Sequence, residues 1–186
     1  WYVYFLKRWI DLSVHPDRLY AFGLAEIAKV KNRIEQLRQK SGFSASSFAA
    51  HIESEDFYYQ DRTSIQKAFE VVHGRLLVGL GNYFPGLERI PDLAIAEGTD
   101  QRLAQVPAFY RNNTFYYNFF DRPFNKRQIV WIYIHEGLPG HHYESNYSRQ
   151  LNQSPVQQLF NNPGYSEGWA AYIEEIGYEI GAYQDI

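Results

Sequence analysis

The segment His135-Glu136-Gly137-Leu138-Pro139-Gly140-His141-His142 gathers three histidines and a glutamate behind the apolar run IVWIYI. Charged side chains there are costly unless paired or bound. A His-Glu pair with a second His one turn later is the arrangement of zinc hydrolases: both imidazoles share a helix face, and the Glu beside the first acts as a base on a water. Here the fourth position after His135 is Pro139, which cannot bind a metal.

In a regular helix, residues six apart lie about 9 Å apart along the axis and about 120° apart around it. That is too far for two nitrogens that must each approach one zinc to about 2.0–2.1 Å. Pro139 cannot donate to the carbonyl of His135, and Gly137 and Gly140 permit unusual backbone angles. A bulge over Leu138 to Gly140 would absorb two residues and return His141 to the usual place. His142 would need three to be absorbed, so His141 is the preferred ligand. The plainer readings are a buried, hydrogen-bonded histidine and a PGHH turn closing a helix.

A second segment, Tyr165-Ser166-Glu167-Gly168-Trp169-Ala170-Ala171-Tyr172-Ile173-Glu174, opens a later helix. Trp169, Ile173, Ile176 and Ile180 form an apolar stripe, while Glu167, Ala171, Glu174 and Tyr178 share another face. The alanine there allows close approach to the His helix. His135, His141 and Glu167 with one position open is a catalytic zinc set. Glu174, two turns on, is placed to accept a hydrogen bond from a ligand imidazole. Glu167 also reads as an acid favoured in a first helical turn, and both readings can hold together. Tyr165 or Tyr172 is a candidate for stabilising an oxyanion.

Several elements must position these groups. His15-Pro16-Asp17 starts a helix with Pro16 at its first position, and Leu19, Phe22, Ile27, Val30, Ile34 and Leu37 recur at amphipathic spacing up to Ser41-Gly42. A short helix follows from Ser44 to about Ile52. A third, capped by Thr63 or Ser64, runs through Ile65, Phe69, Val72, Leu76 and Leu80 to a close at Asn82 to Pro85. Leu93 to Ala96 and Thr114 to Phe120 read as strands, the latter bounded by Asn112-Asn113 and Asp121. The strand TFYYNFF offers either an edge for an extended peptide or an ordinary buried strand. A buried helix begins near Asn125, Asn161-Asn162-Pro163-Gly164 makes a turn, and Ser166 caps a last helix from Glu167 to about Ile180. The expected fold is mainly α with a small β-sheet (α+β). No repeat, low-complexity segment or linker divides residues 1–186, so a single domain is expected.

HEGLPGHH followed by EGWAAYIEE resembles the bacterial DUF885 family, placed among gluzincin-like metallopeptidases, with its His-Glu-x-x-Pro-Gly-His and Glu-Gly-Trp-Ala-x-Tyr-x-Glu patterns. The stretch HPDRLYAFGLAEIAKVKNRIEQL resembles that family's region upstream of the motifs, so the likeness covers essentially the whole chain. The resemblance implies a zincin-like core, zinc as cofactor with His135, His141 and Glu167 as ligands, and Glu136 as catalytic base. It implies a peptide substrate and favours the bacterial cell envelope or export over the cytoplasm. Glu144 stands where the family commonly has Gln, and family members continue with further Arg, Asp and His residues. Tyr165, Tyr172, Glu174 and His142 remain candidates for contacts around the ligands or substrate.

Composition narrows the rest. The 186 residues suffice for one domain or part of a larger one. Beginning at Trp1 without any methionine, the chain reads as a piece of a longer, largely helical protein. A formal net charge of -3 with scattered Lys and Arg argues against a nucleic-acid partner. The absence of cysteine removes disulfides and thiolate sites. WYVYFLKRWIDL is too short, and too interrupted by Lys7 and Arg8, to span a membrane. Aromatic residues make up 18% of the chain, which is accounted for mostly by packing between helices. A zinc peptidase is the leading expectation. A metal-dependent hydrolase of other amides or esters and a non-catalytic metal-binding homologue are the alternatives, and endo- or exopeptidase action stays open.

Overall fold

The structure, a computed structural model, describes residues 1–10, 13–159 and 162–184. Its contacts separate two compact units, Trp1–Phe57 and Tyr58–Ile186, although the sequence carries no evident linker between them.

The first unit is helical: α1 (Tyr2–Ile10), α2 (Pro16–Ser41) and α3 (Ala45–Ile52). Helix α2 begins as its sequence dictates. Pro16 fills the first turn, where an N–H has no partner to lose, and the His15 ring accepts from the Asp17 N–H at 3.3 Å. Gly42 closes the helix at φ 75°, a left-handed conformation suited to glycine. Ser44 caps α3 through the Ser47 N–H. The apolar residues of α2 do not form a buried stripe: Phe22, Ile27, Val30, Ile34 and Leu37 are each roughly half exposed or more.

The second unit starts with β1 (Tyr58–Tyr59) and α4 (Arg62–Leu80). Asp61, rather than Thr63 or Ser64, caps α4 by accepting the Ser64 N–H at 2.8 Å. The predicted stripe Ile65, Phe69, Val72, Leu76 and Leu80 is buried. Strands β2 (Ala94–Glu97), β3 (Ala108–Arg111) and β4 (Thr114–Tyr117) form a sheet ordered β2-β4-β3. β2 runs parallel to β4, and β3 is joined to β4 as an antiparallel hairpin. The hairpin turn is Asn112-Asn113, both at positive φ (51° and 58°), as a two-residue turn matched to strand twist requires. β4 ends at Tyr117, ahead of Phe120 and Asp121 at positive φ. β5 (Phe124–Asn125) pairs with β1.

Four helices complete the unit: α5 (Gln128–Glu136), α6 (His141–Gln150), α7 (Pro155–Leu159) and α8 (Pro163–Glu175). Asn162, not Ser166, caps α8, accepting from the Tyr165 N–H at 3.1 Å. Asn161, the first residue of the expected turn, lies outside the described residues. Helix α5 is sandwiched: it packs on α4, β3 and α8, which is why its sequence is apolar all round. Phe69, Phe115 and Tyr133 meet at ring-centroid distances of 4.6 and 5.6 Å with no exposed surface. Each such side chain contributes about 1.5–3 kcal/mol by leaving water. The chain is mainly α with small sheets. No helix among the described residues is long and apolar enough to cross a membrane.

Candidate metal centre

The buried face of α5, Ile129, Ile132, Tyr133 and Ile134, fixes where the helix ends and so where His135 and Glu136 emerge. The expected bulge is a full break: α5 stops at Glu136, and α6 starts at His141 as a separate helix. Gly137 closes α5 with its N–H on the Tyr133 carbonyl at 2.8 Å, and the Leu138–Pro139 peptide is cis. The chain folds so tightly onto the helix end that a Cβ at Gly140 would collide with the carbonyl oxygens of His135 and Ile134. A Cβ at Gly137 would come 2.8 Å from the Tyr133 oxygen. Trp169 of α8 pins the break by donating its indole N–H to the Pro139 carbonyl at 2.9 Å.

This break brings the two rings together. His135 and His141 have centroids 4.9 Å apart and planes at 89°. Their Nε2 atoms face the same carboxylate: His135 Nε2 is 3.6 Å from Glu167 Oε2, and His141 Nε2 is 3.7 Å from Glu167 Oε1. Both ring side chains are mostly buried (19% and 15% exposed), whereas Glu167 is 66% exposed. Helix α8 buries Ala170 and Ile173 fully, while Ala171 is exposed.

The other ring nitrogens are held in place. His135 Nδ1 lies 2.6 Å from Glu174 Oε1, and because a carboxylate accepts, Nδ1 carries a proton, so the lone pair of the neutral tautomer is on Nε2. His141 Nδ1 lies 3.2 Å from Ser166 Oγ. Burial lowers the pKa of His141, reinforced by His135 and opposed by Glu167 and Glu144. A neutral imidazole is the form that ligates.

Glu136 sits beside this pair. His135, Glu136 and His141 each offer a ligand-capable atom within 4.8 Å of the others. Two carboxylates, Glu136 and Glu167, therefore stand next to the imidazoles, and their surroundings separate them. Glu136 Oε2 accepts the Tyr110 N–H from β3 at 3.0 Å. Burial pushes the Glu136 carboxyl up, against the pull of His135 and that N–H, with Glu167 adding to the rise. The two oxygens of Glu167 instead face the two Nε2 atoms, one each.

Separations of 3.6 and 3.7 Å are long for a hydrogen bond and run to different oxygens of Glu167. Among the described residues, the group whose ligand atoms all lie within 4.8 Å of one another is His135, Glu136 and His141, without Glu167. Two imidazoles and a carboxylate are the donor types that zinc takes.

His142 does not join the cluster. It is fully buried, its Nε2 lies 2.8 Å from the Pro91 carbonyl, and its Nδ1 faces the Tyr110 hydroxyl and Asn146. Burial lowers its pKa, and it serves as a hydrogen-bonded core residue. Tyr165 and Tyr172 are 58% and 55% exposed. Tyr165 lines a cleft of about 1000 Å³ shared with Tyr110, His141, Glu144 and Ser166, and Tyr172 packs beside Trp169.

TFYYNFF provides no sheet edge, because β4 is the central strand. The edges are β2 and β3, and Tyr110 of β3 reaches Glu136. Sequence reasoning missed Tyr110, although Asn112-Asn113 between two aromatic runs is a hairpin signal that would have placed it. Ser166, expected as a cap, instead faces His141.

The family described as "Bacterial protein of unknown function (DUF885)" matches residues 1–186, the whole chain. The chain belongs to DUF885. Neither the comparison with curated proteins nor that with solved structures gives a match. Family membership thus brings no activity with it, and the reading of this DUF885 chain rests on its own side chains. Side chains of the segments HEGLPGHH and EGWAAYIEE meet at the break between α5 and α6.

Proposed function

We propose that this DUF885 chain carries the centre of a zinc-dependent peptidase. The observation that carries the reading is the convergence of two imidazole Nε2 atoms on the two oxygens of Glu167, with a second carboxyl, Glu136, alongside. His135, His141 and Glu167 would hold the ion, three protein ligands with a fourth position left open, as in catalytic rather than structural sites. When bound, zinc acidifies a water toward about pH 7 and polarises a carbonyl.

The chain's own residues supply the rest. Glu136 is the general base. Its Oε2 is anchored by the Tyr110 N–H, which leaves Oε1 to take a proton from water and later deliver it to the leaving nitrogen. Burial raises its proton affinity toward what that double role needs. Glu174 holds the His135 ring with Nδ1 as the donor, which leaves the lone pair of the neutral tautomer on Nε2. A peptide is the favoured substrate because β3 is an edge strand reaching Glu136 through Tyr110, so an extended chain added to that edge passes the base.

A second reading has one observation in its favour: Glu136, rather than Glu167, forms with the two imidazoles a group whose ligand atoms lie within 4.8 Å of one another. A site closed by Glu136 as fourth ligand would be structural and non-catalytic.

The test is hydrolysis of a mixed peptide pool by the chelator-stripped chain, the zinc-reloaded chain and Glu136→Gln. Cleavage restored by zinc and reduced by about 10²–10⁴-fold in the variant is expected. Cleavage indifferent to chelator sinks the zinc reading, and a variant as fast as the parent sinks the base assignment. A pool left intact while simple esters or amides are cleaved moves the substrate away from peptides.

A further inference from the structure

Both imidazoles that face Glu167 must keep Nε2 free, yet only His135 has a carboxylate on its Nδ1. Beside His141 Nδ1 stands the Ser166 hydroxyl at 3.2 Å, and that hydroxyl is also 3.2 Å from Glu144 Oε2. A serine hydroxyl has one proton to give, and an ionised Glu144 can only accept. The proton therefore goes to Glu144, and Ser166 Oγ accepts from the His141 Nδ1–H. The other Glu144 oxygen accepts from Ser148, one turn along α6, at 3.2 Å. Ser166 is not occupied as a cap, because Asn162 caps α8.

We infer that Ser166 and Glu144 form a positioning relay that fixes the tautomer and ring orientation of His141. The inference rests on the zinc reading above. The two ligands are thus held differently: His135 by a direct carboxylate, His141 through a hydroxyl bridging α8 to a carboxylate on α6. Ser166 directly precedes Glu167, so one turn of α8 provides both the third ligand and the hydroxyl that orients the second. The relay lines the same cleft as His141, where water would compete for Nδ1 if the hydroxyl were removed. Neither side chain is a catalytic residue, since each acts only through His141.

The experiment is zinc affinity by competition with a chromophoric chelator, on the parent, Ser166→Ala, Ser166→Thr, Glu144→Ala and the Ser166→Ala/Glu144→Ala pair. Thermal melts of the zinc-free proteins run alongside. Removing a partner of this kind typically weakens metal binding about 10–100-fold. Ser166→Ala and Glu144→Ala should each fall in that range with melts near the parent's. The pair should be no weaker than the worse single, because both break one chain of bonds. Ser166→Thr, which keeps the hydroxyl, should bind as the parent does. Parent-like affinity in Ser166→Ala, or losses that multiply in the pair, overturns the relay while leaving the zinc reading intact. A parent that takes up no zinc overturns both.

Discussion

His135 Nδ1 and Glu174 Oε1 lie 2.6 Å apart across 39 positions of sequence, a contact between the end of α5 and the end of α8. A charge-assisted bond of that length orients the ring and raises the basicity of its far nitrogen. Glu174→Ala should weaken zinc binding by about 10–100-fold, and Glu174→Gln, which still accepts from Nδ1, by less. Chelator competition measures both. Equal, parent-like affinities would mean the contact only joins two helices.

The turn between α5 and α6 leaves no room for a Cβ at Gly140. Gly140→Ala drives a methyl group into the carbonyls of His135 and Ile134 and must displace the histidine itself. We expect the loss of zinc binding together with about 1–3 kcal/mol of stability, as for other overpacked positions. Gly168→Ala, beside Glu167 in α8, meets nothing within 4 Å and should stabilise by about 0.5–1 kcal/mol without loss of zinc. Denaturant titration and metal uptake of the two variants separate these outcomes, and similar behaviour in both would refute the packing argument.

Acid should weaken the second unit through His73. Its Nδ1 is 2.6 Å from the Tyr133 hydroxyl, burial lowers its pKa against the pull of Asp92, and burial also raises that of Tyr133. Tyr133 thus keeps its proton and donates to a neutral His73. In the unfolded chain the imidazole titrates near 6.5, so below that value the unfolded state binds more protons than the folded one. This contribution is complete above about pH 6.5 and is lost as pH falls through the depressed folded value. The urea midpoint should drop between about pH 7.5 and 5.5, and less so in His73→Gln, which can accept the same hydrogen bond without titrating. An identical drop in parent and variant would exclude His73 as its source.

Much of this was legible because local chemistry decided it. His15-Pro16, Ser44 and the stripe of α4 placed three helices, since caps and 3.6-residue periodicity act over a few residues. The break between α5 and α6 was readable from Gly137, Pro139 and Gly140, but its form was not. Whether a chain bulges or stops depends on what holds the freed groups, and here that is Trp169, 30 positions away. β3 was missed because AFYR is too short to show alternation by itself. The exposed face of α2 and the two-unit division are tertiary facts that periodicity does not encode.

At the candidate site, residue types and spacing singled out Glu167 and Glu174, and the structure sets their side chains against His135. Spacing favoured His141 over His142 by a single residue of bulge. What separates them is the Pro91 carbonyl and Tyr110 hydroxyl around one ring and Glu167 beside the other. Ser166 looked like a cap because a serine before a helical run usually is one. Its real partners, His141 and Glu144, lie on another helix.

The most direct test of the central claim is the zinc content of the purified, desalted chain, measured by mass spectrometry beside Glu136→Gln and Glu167→Ala. We expect stoichiometric zinc in the parent and in Glu136→Gln, and its loss from Glu167→Ala, because the proposal makes Glu167 the third ligand and Glu136 the base. A parent without zinc, or zinc retained by Glu167→Ala and lost from Glu136→Gln, would contradict it.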